Sequence, residues 1–239
     1  MMNATSSHLI IAIDGPSGAG KSTLGRMLAR ELGLLYIDTG AMYRAAALAV
    51  VEAGVDTNDA AAVAAVAEQA QIELVGEPDH LRVVLNGRDV REAIRTEQIT
   101  RLSSVISTIP AVRRDLVRRQ REMGARGGCV LDGRDIGTVV FPQADVKFFL
   151  TAVPEARARR RYEEDKRKEP DLTFDETLAD INTRDRRDST RADSPLAIAK
   201  DAVVIDTTEL SVDEVCARML EAVRERTDKF KVQSPKSNV

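Results

Sequence analysis

The stretch Leu9-Ile10-Ile11-Ala12-Ile13-Asp14-Gly15-Pro16-Ser17-Gly18-Ala19-Gly20-Lys21-Ser22-Thr23 decides the reading of this chain. Its first six residues form the short apolar run of a strand buried on both faces of a parallel sheet. From Thr23 to Leu32 apolar side chains recur at helical spacing. Between them, Gly15 to Ser22 fits GxxxxGK[ST], and strand, glycine-rich turn and helix form the setting a phosphate-binding P-loop requires. The glycines let successive N–H groups point inward, and the helix N-terminus adds positive potential. Lys21 is expected to reach the β/γ-phosphates and the Ser22 hydroxyl to sit on Mg²⁺. Gly15, Pro16, Ser17, Gly18, Ala19, Gly20, Lys21, Ser22 and Thr23 are therefore the expected nucleoside triphosphate contacts.

Working outward, four further segments read as buried parallel strands: Leu34–Ile37, Cys129–Leu131, Val146–Leu150 and Ala202–Ile205. Each lies next to a helical pattern, which predicts a doubly wound α/β sheet. Ser211-Val212-Asp213-Glu214 predicts a capping box opening a last helix that runs toward Arg226, and 228–239 reads as a frayed tail. Two regions break the rhythm. Ile72–Val75 and Leu81–Leu85 alternate in polarity ahead of Asn86-Gly87, predicting a small antiparallel meander with a turn there. Helices over 91–107 and 110–124 follow it, and an alanine-rich helix over 59–70 precedes it. The second break, 157–191, is densely charged, with an expected mobile centre at 164–170. A P-loop core, an inserted module and a charged closing segment imply a second substrate and a lid that excludes water.

With 239 residues the chain suits one large α/β domain with insertions. A net charge of -3 gives no basic excess for general nucleic-acid binding. The 27 Arg against 8 Lys suit a site rich in anions in part, although GC-biased coding and solvated helix faces account for most of the excess. Cys129 and Cys216 lack metal-site spacing, and His8 and His80 are too scattered for a triad. No apolar run approaches a membrane span and no secretory signal is visible, so the expectation is a cytoplasmic protein without a membrane partner. The acidic balance argues against a nucleic-acid partner, and a monomer is expected.

Val130-Leu131-Asp132 reads as the second P-loop element, an apolar strand ending in a carboxylate for Mg²⁺, or as an aspartate capping the next turn. Arg134 follows at the carboxyl end of that strand, where ligands bind in open α/β sheets, and suits a phosphate. Asp135 offers acceptors for a base amino group; a salt bridge between the two neighbours is the plainer alternative. In Asp38-Thr39-Gly40-Ala41-Met42-Tyr43-Arg44, Arg44 falls one turn into a helix. Arg184, Arg187, Asp188 and Arg191 share one helix face, either as a phosphate and ribose clamp or as a solvated charge stripe. Arginines on a lid offset transition-state charge. No nucleophilic triad is present, and a phosphate monoester acceptor, already anionic, needs no general base.

Taken together, these motifs resemble bacterial-type cytidylate kinase from Ile11 to about Arg224: the P-loop, Asp38–Arg44, Asp132-Gly133-Arg134-Asp135-Ile136-Gly137-Thr138-Val139-Val140-Phe141-Pro142, and Arg184-Asp185-Arg186-Arg187-Asp188. The resemblance implies transfer of the ATP γ-phosphoryl group to CMP or dCMP with Mg²⁺. It implies a P-loop NTPase core with a five-stranded parallel sheet flanked by helices (8–70, 111–156 and 192–227). An inserted monophosphate-binding domain (71–110) and a short lid (157–191) complete the expected division. By position it makes Ser104, Arg113 and Asp135 readers of the cytosine edge, and Arg44 and Arg134 holders of the acceptor phosphate. Asp188 with Arg184 becomes the ribose contact, Arg191 lies near base or phosphates, and Thr39 stands where relatives often carry Ser. Lys21, Arg134, Arg184 and Asp132 are the expected catalytic group, with Ser22 and Asp132 on the metal. Rival readings are a like-built kinase for UMP or an alcohol, a P-loop switch, and a nucleic-acid binder; no Asn-Lys-x-Asp segment supports the switch.

Overall fold

The computed structural model describes residues 8–167 and 169–233. Five strands pair in parallel: β1 (Ile10–Asp14), β2 (Leu35–Asp38), β6 (Cys129–Asp132), β7 (Val146–Thr151) and β8 (Val203–Asp206), in the order β2-β6-β1-β7-β8. Their apolar residues feed two cores, one on each face. Helix α1 (Lys21–Leu32) packs on one of these faces, through Leu24 and Leu28. Helix α2 (Thr39–Ala53) packs on the other, through a run of buried alanines. Four of the five strands end on aspartate, and the register sets Asp38 beside Asp132 and Ile13 beside Asp132. Buried sheet interior thus gives way to a row of carboxylates at one edge, where the loops meet.

Helix α3 (Ala60–Gln69) begins where Asp59 accepts from the Ala61 and Ala62 N–H groups at 3.0 Å. Strands β3 (Ile72–Val75), β4 (Arg82–Leu85) and β5 (Arg88–Asp89) form the antiparallel meander. Leu85 pairs with Arg88 across Asn86 and Gly87, whose φ angles of 49° and 79° suit a tight two-residue hairpin. Helices α4 (Glu97–Ile106) and α5 (Pro110–Gly124) follow, and α5 crosses the expected boundary at 110 by one residue. Beyond β7, α6 (Pro154–Asp165) starts ahead of the expected boundary at 157, with Pro154 in its first turn. Helix α7 (Phe174–Thr190) opens with a capping box between Thr173 and Glu176 that the charged composition had hidden. Within 164–170, Lys168 lies outside the described residues.

Ser211 and Glu214 form the expected capping box. The last helix, α8 (Val212–Gln233), corrects the expectation of a tail fraying from Asp228. The physical reason is that no helix breaker occurs before Pro235. The tail's remainder, 234–239, lies outside the described residues. Among the described residues, no helix is long and apolar enough to cross a membrane.

Candidate active site

Gly15 leaves β1 with φ 144°, and a Cβ there would lie 2.0 Å from the Leu150 carbonyl oxygen, so only glycine fits where the loop crosses β7. Gly20 caps α1 in a left-handed conformation, and no side chain satisfies the first N–H groups of that helix. Those groups suit an anion. Lys21, 6% exposed, donates from Nζ to the Pro16 carbonyl at 2.6 Å across the loop. Burial, with Arg134 beside it, holds this ammonium well below the usual lysine range. Arg157 backs the loop, donating to the Ser17 carbonyl at 3.0 Å and pairing with Asp185 of α7 at 2.7 Å.

Asp132 collects three hydroxyls. Ser22 Oγ donates to its Oδ2 and Tyr36 Oη to its Oδ1, both at 2.8 Å, while Thr39 Oγ1 donates to its carbonyl at 2.6 Å. Burial, then the neighbouring Asp38, pushes the Asp132 carboxyl up to about 6. Asp14 is pushed up to about 6 as well, by burial, against the opposing N–H bonds of Gly137 and Ile136.

The acceptor candidates converge on one arginine–carboxylate cluster. Arg134 Nε lies 2.8 Å from Asp188 Oδ2, and Arg191 lies 3.7 Å from Asp188 and 3.8 Å from Asp135. Arg113 Nη2 sits 2.7 Å from Asp135 Oδ2, with both side chains almost fully buried. Arg113 also donates to the Ser107 carbonyl at 3.1 Å and lies over the Tyr43 ring at 5.7 Å. Arg44 reaches Asp38 at 3.4 Å. Against the opposing effect of burial, Arg134 and Arg184 hold the Asp188 carboxyl below the usual range. Burial and the Arg134 charge push the Arg184 guanidinium down to about 9, which leaves it cationic at neutral pH.

Five guanidiniums (Arg44, Arg113, Arg134, Arg184, Arg191) thus face three carboxylates (Asp38, Asp135, Asp188). Buried polar atoms without a hydrogen-bond partner gather here too: Tyr43 Oη, Arg44 Nε, Arg113 Nε, Arg184 Nε and Arg191 Nη2. Native interiors rarely leave such atoms unsatisfied, so the cluster has the chemistry of a site for a polar anion. A cleft of about 260 Å³ opens beside Arg44 and Asp38, with Arg26, Arg91 and Arg95 on its walls.

The structure brings the sequence-selected residues together with two differences in emphasis. Thr39, 3% exposed, spends its hydroxyl proton on the Asp132 backbone. Arg187 leaves the stripe it shares in sequence and donates to Ser104 Oγ of α4 at 2.9 Å. Sequence reasoning passed over Asp14, Tyr36, Tyr43 and Arg157. Tyr36 and Tyr43 are two of only three tyrosines, and both flank Asp38-Thr39-Gly40, a signal that was available.

A family model described as "Cytidylate kinase" matches residues 11–225. A cytidylate kinase of Syntrophotalea carbinolica is 52% identical over 219 residues, 92% of this chain and 93% of that one. One of Solibacter usitatus is 51% identical over 228 residues, covering 95% and 97%. One of Geobacter sulfurreducens is 52% identical over 218 residues, covering 91% and 94%. The match runs through the glycine-rich loop and the arginine cluster alike, and this chain belongs to the cytidylate kinase family of nucleoside monophosphate kinases, which are phosphotransferases.

Proposed function

We propose that the protein transfers the γ-phosphoryl group of ATP to CMP or dCMP, giving CDP or dCDP. The observation that carries this reading is the cluster of Arg44, Arg113, Arg134, Arg184 and Arg191, buried at Arg113 and Arg191 and half-buried at the others, rich in unpartnered donors and closed by the Asp135 carboxylate. The P-loop backbone from Gly15 to Thr23 takes the ATP phosphates, with Lys21 swinging from Pro16 onto the β/γ-oxygens. Arg44 and Arg134 hold the CMP phosphate. That group is largely dianionic at neutral pH, its second pKa lying at about 6, so an oxygen of it attacks without a general base. The bond from this oxygen to the γ-phosphorus forms as the bond to the β,γ-bridging oxygen breaks, and ADP leaves. Arg184, still cationic, offsets charge on the transferring group.

Ser22 Oγ and the Asp132 carboxylate, hard oxygens 2.8 Å apart, fit Mg²⁺ and would hold it. Among the described residues, no cluster of three or more His, Cys, Asp or Glu offers a different metal cage. When bound, the ion neutralises phosphate charge. Asp188, held anionic by its arginines, takes a ribose hydroxyl. Ser104, Arg113 and Asp135 read the base, Arg191 bridges base and ribose ends, and the Thr39 lone pairs stay open to the acceptor. Residues 71–110 serve as the acceptor-binding insertion and 157–191 as the lid. Asp135 rejects UMP because a carboxylate facing the uracil carbonyl sets acceptor against acceptor in a buried site.

ADP release measured with Mg²⁺ and ATP across CMP, dCMP, UMP, AMP and a simple alcohol tests the proposal. Strong turnover with CMP and dCMP is expected; turnover with UMP or the alcohol instead, or none with CMP, would refute it.

A further inference from the structure

We infer that Arg187 is a positioning residue for base selection, holding the Ser104 hydroxyl as a hydrogen-bond donor toward the acceptor edge of cytosine. This rests on the reading of Ser104 as a base reader.

The three readers differ in hydrogen-bond character. An ionised carboxylate such as Asp135 only accepts, a guanidinium such as Arg113 only donates, and a hydroxyl does either. Cytosine presents its amine beside two acceptors, ring N3 and O2. Uracil presents a carbonyl in place of the amine and an N–H at position 3. Asp135 and Arg113 cannot change polarity to follow that difference, whereas a free serine could turn its proton to suit either ring.

Ser104 is not free to turn. It is 4% exposed on α4, and Arg187 Nη1 of α7 donates to its Oγ at 2.9 Å. A guanidinium has no lone pair to take the serine proton, so the proton points away from α7. The Thr100 carbonyl, one turn back along α4, already accepts from Ser103 Oγ at 2.8 Å. Among the described residues, the Ser104 hydroxyl donates to no protein acceptor. Arg187 makes no ion pair among those residues either; its hydrogen bond to Ser104 is what holds it. Arg101 of α4 donates to Asp180 of α7 at 3.0 and 3.1 Å, which sets the two helices close enough for Arg187 to reach. The Ser104 proton is thereby left for ring N3, which accepts in cytosine and carries a proton in uracil, whereas O2 accepts in both rings.

The test is kcat/KM for CMP and for UMP in the wild-type enzyme, S104A, R187Q, R187K and S104A/R187Q. Glutamine can accept the serine proton through Oε1, so R187Q is expected to lower the CMP-to-UMP ratio roughly 3- to 10-fold. Lysine, which only donates, should keep the ratio within about two-fold of wild type. In the S104A background, R187Q should change the ratio no further. A ratio untouched by R187Q, or lowered equally with and without Ser104, would reduce the contact to an interhelical tie and overturn the inference. If S104A leaves the ratio unchanged, the base-reading role of Ser104 falls and the inference with it. A ratio still narrowed by D135N would then leave the CMP kinase reading intact.

Discussion

Asp14, the last residue of β1, accepts hydrogen bonds from the backbone N–H groups of Ile136 at 2.8 Å and Gly137 at 2.7 Å. It immediately precedes the P-loop, and Ile136 immediately follows Asp135, so one buried carboxylate ties the P-loop to the loop carrying Arg134 and Asp135. Asp14→Asn keeps the size but turns an amide donor toward a backbone donor. We expect a loss of about 1–3 kcal/mol in denaturant unfolding, together with a raised CMP KM. An unchanged midpoint and KM would show that the tie does not matter.

Lys21→Ala removes the only cation seated within the P-loop, whose side chain makes one hydrogen bond, to Pro16. Turnover should fall by about 10²-fold or more, while circular dichroism and melting stay close to wild type. Near-normal kcat would contradict the ATP site.

Asp135→Asn retains the shape beside Arg113 but lets the side chain donate to a uracil carbonyl. The CMP-to-UMP ratio of kcat/KM should fall roughly 10-fold or more. Asp135→Ala should narrow it as well, and at a larger stability cost, because Arg113 is then buried without its carboxylate. Unaltered discrimination in both variants would remove Asp135 from base recognition.

Asp188→Ala strips the carboxylate shared by Arg134 and Arg191. The CMP KM should rise by about 10-fold or more, with the ATP KM within about two-fold of wild type. A raised ATP KM alone would refute the ribose assignment.

The Asp132 carboxyl titrates near 6 in the fold, against an ordinary value of 3.8. Between those values the folded protein holds a proton that the unfolded chain releases, so this group's contribution to stability declines as pH rises from about 4 through about 6. Asp132→Asn cannot ionise. Without nucleotide or metal, its stability relative to wild type should improve across that window by as much as about 3 kcal/mol, read from denaturant melts at several pH values. A difference independent of pH would mean that burial does not raise this carboxyl.

Much of the fold was legible along the chain. β1, the glycine turn and α1 follow from one continuous motif, and Asn86-Gly87 turns the hairpin because both residues take positive φ. The α7 stripe was legible as geometry, since three- and four-residue spacings place Arg184, Asp188 and Arg191 on one face. The destination of Arg187, a member of that stripe, was not, because a long side chain can reach a neighbouring helix that the spacing does not reveal. The end of α8 was misplaced for a related reason: polar composition suggests fraying, but no glycine or proline interrupts the chain from Asp228 to Gln233, and the helix continues through it.

Residue order alone determined the P-loop, the alternation of strands and helices and the identity of the charged groups, because each depends on neighbours within a turn or two. Only the tertiary structure decided that Arg113 meets Asp135, Tyr36 meets Asp132, Asp14 meets Gly137 and Arg187 meets Ser104. These partners lie more than twenty residues apart in every case. Their pairing is set by sheet order and by the cost of burying a charge or polar group unpaired, which no local period encodes.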